Sequence, residues 1–308
     1  MEGSAVRAIT VEKILGTRTK VAELLKSDEF KRKMINKLMS VINNNKKVII
    51  AYSGGADSAL LLYKLFRELS INKSKTIIVT LDHGFKTERV KENIYNVIED
   101  LGLYENFEHI NISDKIMRFI DKESKIKCIY LYMITHKRLP CSLKICGYIY
   151  DIIFSELSMK YRTNVIITGS MFPVIKGDTL DIINKRNGLT IVRGMVPFAM
   201  PKHMVINELR EIGSPWKNPN IGGYDTDCIV PGYLLYMIYR GKRRQNFWNV
   251  YVKTPEVIHY VSNYVKFGLL SKEEALKYIT NLDLPTSSVF SYMESIVERM
   301  RLECEKYE

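Results

Sequence analysis

Long apolar runs are missing from this 308-residue chain. The longest nearly apolar stretch, Cys228 to Tyr239, contains Pro231 and falls short of the roughly 20 residues a membrane-spanning helix needs. The opening MEGSAVRAITVEK has no apolar h-region of the kind a secretory signal carries, so the expectation is a cytoplasmic protein with no membrane attachment. Cysteine is scarce as well. Cys128, Cys141, Cys146, Cys228 and Cys304 are too few to form a disulfide scaffold at this length, and read instead as core thiols, metal ligands or catalytic thiols. No repeat and no low-complexity segment is present. Acidic residues are outnumbered 34 to 46 by Lys and Arg, giving a net charge of +12, which points toward a polyanionic partner and says little about fold. The apolar fraction of 46% is that of a folded globular protein, and the length suits one large α/β domain with additions at its ends.

What is present is concentrated between Lys47 and Leu65, KVIIAYSGGADSALLLYKL. Val48-Ile49-Ile50-Ala51 reads as a buried strand, and Asp57 to Leu65 has the spacing of a helix packed on a sheet. Between them, Gly54-Gly55 lets the backbone turn sharply with no side chains over the turn, so successive N–H groups can face one anion. Ser58 opens the helix, whose unpaired N–H groups add to that field. The stretch should hold phosphate. It lacks the Gly-Lys-Ser/Thr ending of the kinase and GTPase loop, so no loop lysine embraces the β- and γ-phosphates and a different phosphoryl chemistry is expected.

The pattern strand-SGGxDS-helix, carried by Ser53, Gly54, Gly55, Asp57 and Ser58 with Ala56 in the free position, resembles the pyrophosphate loop of the ATP pyrophosphatase (PP-loop) superfamily. That resemblance implies cleavage of ATP between its α- and β-phosphates, adenylation of an acceptor oxygen and release of pyrophosphate. It implies an adenine nucleotide alpha hydrolase-like fold, with ATP held by Ala51, Tyr52, Ser53, Gly54, Gly55, Asp57 and Ser58, Mg2+ screening the pyrophosphate, and Asp57 taking part in catalysis.

Along the chain, Thr10 to Asn45 reads as a helical extension, and strands are expected at 75–81, 107–112, 165–168 and 189–193 besides the first. The fold class is therefore α/β: an open, mostly parallel five-stranded sheet with helices on both faces. The expected divisions are a helical extension over 1–45, the nucleotide domain over 46–200 and a mainly helical region over 201–308. Asp82 and His83 end the second strand, where open α/β sheets place ligands, and Gly169-Ser170 follow the fourth. Similar enzymes line the ATP pocket at both places. Asp178 and Asp181 are weaker candidates for the acidic pair that such enzymes carry a little later. Helices are expected from His203 to Ile212, from Val230 to Tyr239 and from Thr254 to Ile279, the last containing a capping box of Ser271 and Glu274.

Cys141 and Cys146 bracket a helix start behind Pro140, and Cys228 follows a Gly/Pro-rich loop over 213–223. This arrangement resembles that of the iron-sulfur-dependent tRNA thiolation enzymes, and it implies that Cys141, Cys146 and Cys228 hold a 4Fe-4S or 3Fe-4S cluster beside the ATP site. The departure is the spacing, Cys-x4-Cys in place of Cys-x-x-Cys. Three thiolates suit such a cluster because soft ligands favour it and the missing fourth ligand leaves one iron open or absent. Zinc completed by Asp225, Asp227 or His136, persulfide chemistry on two thiols, and plain core packing stand beside it. Arg240, Lys242, Arg243, Arg244, Phe247 and Trp248 combine cations for phosphates with aromatics for an unpaired base, as RNA binding requires. The leading reading is an ATP-dependent tRNA sulfurtransferase that works with tRNA and a sulfur donor, sulfide or a carrier protein, with a homodimer as a candidate assembly. The alternative keeps adenylation but uses an amine or ammonia, as in superfamily ligases and amidotransferases; the run Asp82 to Lys86 is reminiscent of the lysine-adding tRNA enzymes. A non-enzymatic nucleotide- or RNA-binding protein is disfavoured by the intact Asp57 and Ser58.

Overall fold

In a computed structural model the described residues are 23–117, 145–176, 179–221, 226–229, 255–280 and 287–305. The sheet is built outward from β1 (Val48–Ala51), whose four residues are apolar and three of them fully buried. It pairs in parallel with β2 (Thr76–Asp82) on one side, Ile50 opposite Ile78, and with β4 (Val165–Thr168) on the other, Ile50 opposite Ile167. β3 (Phe107–Asn111) adds in parallel outside β2 and β8 (Leu189–Arg193) outside β4. The five expected strands are thus present, and their order reverses at β1. That reversal opens a crevice past the carboxyl ends of β1 and β4.

A sixth strand, β7 (Ile183–Arg186), pairs antiparallel with β8 at the sheet edge. Its polar sequence INKR hid it from a search for apolar runs. Asn187 and Gly188 join the two strands with φ of 50° and 76°, the paired positive values of a tight two-residue hairpin. A separate two-stranded ribbon, β5 (Val174–Lys176) with β6 (Thr179–Asp181), fills the insertion after β4. Asp181 there receives Lys37 at 2.6 Å, Lys176 at 2.8 Å and the N–H groups of Ile182 and Ile183. It is a structural ion-pair centre, while Asp178 lies outside the described residues.

Side-chain alternation along the strands divides the core in two. Val48, Ile50, Ile78, Ile167 and Val192 face α1 (Asp28–Asn44), α2 (Ala56–Tyr63), α3 (Glu88–Asp100) and α6 (Lys202–Glu211). Ile49, Ile77, Val79, Ile166 and Ile191 face α4 (Ser113–Met117) and α5 (Ile145–Tyr161). α1 is capped by Ser27, whose hydroxyl accepts the Phe30 N–H, and buries Phe30, Met34, Leu38 and Ile42 at helical spacing. This part of the N-terminal segment therefore belongs to the main core. C-terminal to the sheet lie α7 (Pro255–Lys266), α8 (Lys272–Thr280) and α9 (Ser287–Glu305). The expected capping box is formed at α8: the Ser271 N–H reaches Glu274 Oε2 at 2.6 Å, and the Glu274 N–H reaches Ser271 Oγ at 3.0 Å. Among the described residues no helix is long and apolar enough to cross a membrane.

Leu38 is fully buried between α1 and the sheet-facing helices. Leu38→Ala should lower unfolding free energy by about 2–5 kcal/mol in urea titrations. A loss below about 1 kcal/mol would mean that α1 is dispensable to the core.

Candidate active site

The loop after β1 is organised by its own hydroxyls. Ser58 Oγ donates to the Gly55 carbonyl at 3.0 Å and accepts the Ser53 N–H at 3.2 Å, while the Gly55 N–H donates to Ser53 Oγ at 3.3 Å. Ser53 Oγ and Ser58 Oγ stand 3.1 Å apart. Gly54 has φ of 87°, and a Cβ there would sit 2.6 Å from Ile94 Cγ1, so both backbone and neighbours demand glycine. Its carbonyl accepts the buried Trp216 indole N–H at 2.9 Å, which ties the loop to the segment after α6. α2 begins at Ala56 with Gly55 as N-cap and no side-chain cap from that residue, so the N–H groups of its first turn have no partner within the helix.

Two other segments close on this turn. A Cβ on Gly169, just after β4, would lie 3.0 Å from both Cα and N of Ser58. A Cβ on Gly55 would lie 3.1 Å from Thr226 Oγ1 and 3.2 Å from Asp227 Cβ. Thr226 Oγ1 accepts the Ala56 N–H at 3.0 Å, and the Ile229 N–H donates to the Phe85 carbonyl at 3.1 Å. The chain that carries Cys228 thus returns to lie against the phosphate-type loop.

The cationic side chains come from outside the loop. Lys86 is 1% exposed; its Nζ donates to the Ser53 carbonyl at 2.7 Å and stands 3.9 Å from Asp227 Oδ2. Lys202, buried at the start of α6, pairs with Asp57 Oδ2. The other oxygen of Asp57, Oδ1, is buried without a hydrogen-bond partner. These groups line a cavity of about 620 Å³ together with Ala51, Tyr52, Ser53, Gly55, Ser58, Gly169 and Ser170. That volume lies within the range of small-ligand sites. Its far walls are Gly147, Tyr150, Asp151 and Phe154 of α5, Arg186 and Arg193 of the β7–β8 hairpin, and Asn263 and Tyr264 of α7. Arg193 Nη1 donates to the Phe172 carbonyl at 2.7 Å, and burial followed by the charge of Arg186 holds its pKa below the ordinary value.

Of the expected nucleotide residues, all but Gly54, Asp82 and His83 line the cavity. His83 is buried beside Phe85, and its Nδ1 accepts the Phe85 N–H at 3.0 Å; burial, then the charge of Lys86, push it down to about 3, so it is neutral at physiological pH. Asp82 Oδ1 accepts the Gly84 N–H at 2.9 Å and its Oδ2 stands 3.6 Å from His109 Nε2. Burial alone would raise Asp82, but His109, the Gly84 N–H and Lys86 together hold it well below the usual carboxylate range. Lys86, Lys202, Trp216, Thr226, Asn263 and Tyr264 were not anticipated as site residues, and Asp227 only as a zinc ligand. Lys86 closes the run DHGFK and was within sight, whereas nothing local marks the others.

Cys146 and Cys228 are half-buried thiols packed against the same apolar cluster, and each adjoins a residue that lines the cavity, Gly147 and Asp227. Burial pushes Cys146 up to about 11, so it stays a thiol until a soft metal or a base takes its proton. Cys141 lies outside the described residues, as do Arg240, Lys242, Arg243, Arg244 and Trp248. Among the described residues no group of three His, Cys, Asp or Glu is placed to hold a metal, so a three-thiolate set depends on Cys141. Cys304, expected as a thiol, is buried and disulfide-bonded.

Comparison with known proteins places these features. The uncharacterized protein MJ1599 of Methanocaldococcus jannaschii is 27% identical over 259 residues, 82% of this chain and 81% of that one. Superposition on the U34-tRNA thiolase NcsA of Methanococcus maripaludis, solved with its [4Fe-4S] cluster, covers 92% of this chain and 78% of that chain at 15% identity and a TM-score of 0.42. The NH3-dependent NAD synthetase of Campylobacter jejuni, in complex with nitrate, covers 94% and 96% at 12% identity and a TM-score of 0.34. Residues 26–127, which span α1, β1, the glycine loop, α2, β2, α3 and β3, match the family model of the PP-loop domain. That span contains the hydroxyl-braced SGGxDS loop at the sheet's switch point, so residues 26–127 carry a PP-loop domain.

Proposed function

We propose that the protein is an ATP-dependent tRNA sulfurtransferase that makes a thiouridine or thiocytidine. The observation that carries this reading is the return of residues 226–229 onto the PP-loop. It brings Cys228, from far along the chain, beside the cavity that Cys146 also adjoins, against one apolar cluster. A nucleotide site flanked by two thiols from distant segments fits sulfur transfer better than amide synthesis, which needs no thiol.

In this reaction a base oxygen forms a bond to the α-phosphorus of ATP, and the bond to the β-phosphate oxygen breaks to release pyrophosphate. Hydrosulfide then adds at the activated carbon, AMP leaves with the former base oxygen, and the sulfur loses its proton as the C=S bond forms. No net oxidation occurs. The N–H groups of the first turn of α2 and the ammonium groups of Lys86 and Lys202 stabilise the negative charge that moves onto pyrophosphate. Asp57 orients Lys202 through Oδ2, and its buried unpartnered Oδ1 suits a Mg2+ ion or a ligand hydroxyl. Cys146 and Cys228, with Cys141, would hold an iron-sulfur cluster, which supplies an iron without a protein ligand on which sulfide can be carried. Tyr150, Phe154 and Tyr264 offer aromatic walls for the rings that must enter the cavity. The basic run Arg240, Lys242, Arg243 and Arg244, with Trp248, would bind tRNA.

Incubation with ATP, Mg2+, sulfide and tRNA should yield AMP and pyrophosphate. Asp57→Asn or Lys202→Met should each lower that rate by about 10²-fold or more, because each removes part of the preorganised charge around the transferring group. ADP and phosphate as the only products would overturn the chemistry, and AMP formation driven by ammonia without sulfur incorporation would establish the amide-forming alternative.

Neutralising Arg240, Lys242, Arg243 and Arg244 together should weaken tRNA binding and flatten its dependence on salt by about one unit of log-log slope per lost phosphate contact. Equal affinities and slopes for this variant and the wild type, by filter binding between 50 and about 200 mM salt, would reject the patch.

A further inference from the structure

Two of the donors and cations that an anion at the PP-loop would use are already engaged by one short segment of this chain. The Ala56 N–H, the first of α2, is held by Thr226 Oγ1 at 3.0 Å, and the Lys86 ammonium stands 3.9 Å from Asp227 Oδ2. The segment also packs closely on the loop: Thr226 is buried, and Thr226 and Asp227 stand so close over Gly55 that a Cβ there would press on them. The next residue but one, Ile229, is tied by its N–H to the Phe85 carbonyl at 3.1 Å, beside Lys86. The segment is therefore bonded to the two elements that would receive a polyphosphate, the helix start and the Lys86 turn, and Cys228 sits in the middle of it.

We infer that Thr226 and Asp227 are positioning residues that make the placement of Cys228 depend on whether the PP-loop holds a polyphosphate. A pyrophosphate group brought to the first turn of α2 competes with the Thr226 hydroxyl for the Ala56 N–H, and its charge competes with Asp227 for Lys86. Both contacts weaken together because one segment makes both, and the segment loosens over residues 226–229. By linkage the effect is reciprocal: whatever free energy the segment loses when the anion binds, the anion gains when the segment's anchors are removed. The inference needs only the anion site at the loop and goes beyond the sulfur-transfer reading, which can fail without affecting it. In that reaction it would release Cys228 toward the acceptor only after the triphosphate is seated, and so withhold sulfur from an unactivated base.

The test uses the full-length protein as purified, with Mg2+ and inorganic pyrophosphate as the probe. Hydrogen exchange of the Ile229 amide, followed by mass spectrometry, should quicken at least about threefold at saturating pyrophosphate in the wild type. Thr226→Val should exchange fast at Ile229 without the probe, should gain nothing on its addition, and should bind pyrophosphate about threefold or more tightly than the wild type by calorimetry. Thr226→Ser, which restores the hydroxyl, should return both properties to wild-type values. A merely structural role for Thr226 predicts weaker, not tighter, binding by the valine variant. Unchanged Ile229 exchange in the wild type at saturation, absence of pyrophosphate binding, or equal or weaker binding by Thr226→Val would each overturn the inference. The wild-type exchange experiment decides it alone should the valine variant not fold.

Discussion

The site depends on how closely backbone can approach the first turn of α2. Gly169 comes to within a Cβ's contact of Ser58 from the β4 side, and Thr226 with Asp227 does the same to Gly55 from the opposite side. Between them the turn is held in register by the Ser53 and Ser58 hydroxyls and by Trp216 on the Gly54 carbonyl. Each approach brings a different part of the chain: the strand across the switch point, the post-sheet segment and the linker after α6. A side chain on Gly55 or Gly169 would separate these parts rather than merely occupy space, because the atoms it meets are backbone or closely held side chains.

The same crowding explains where the charge sits. A loop lined by glycines at van der Waals contact has no room for a lysine of its own, and the PP-loop sequence provides none. Its cations arrive instead on neighbouring elements, Lys86 from the turn after β2 and Lys202 from the start of α6, both buried. Burying two ammonium groups is costly unless each is paired, and each is: Lys86 with the Ser53 carbonyl and Asp227, Lys202 with Asp57.

Local pattern carried most of the fold. Four of the five parallel strands, β1, β2, β4 and β8, announce themselves as short β-branched runs, and α8 by its capping box, because these signals are confined to a few adjacent residues. β7 escaped because an edge strand need not be apolar, although Asn187-Gly188 marked its turn. The glycine loop was legible for the same reason as the strands: its chemistry is contiguous. Lys202, Thr226 and Tyr264 were not, since each reaches the cavity through tertiary packing from outside the 26–127 span of the PP-loop domain, and Trp216 reaches the loop itself in the same way. Asp82 and His83 illustrate the converse. Their place at a strand end suggested a ligand role, yet Asp82 is turned toward Gly84 and His109, and His83 is spent on the Phe85 N–H.

The two apolar clusters give the cavity a direction. The PP-loop helix packs into the cluster on one face of the sheet, with Ala56, Ala59 and Leu60, whereas Cys146 and Cys228 pack against the cluster on the other, with Phe154 and Ile191. The cavity takes residues from both clusters, so it crosses the sheet plane just past the carboxyl ends of β1 and β4. Under the proposed reaction, a base seated there would meet the α-phosphorus from one side and sulfur from the other. The leaving AMP and the incoming sulfur would then not contend for one path, and the base need not turn over between the two steps. A one-faced cavity would require either a large movement of the acceptor or departure of AMP through the space that sulfur must enter. The division of the core by strand alternation, fixed when β1 pairs with β2 and β4, is thus what would allow two successive displacements at one stationary ring.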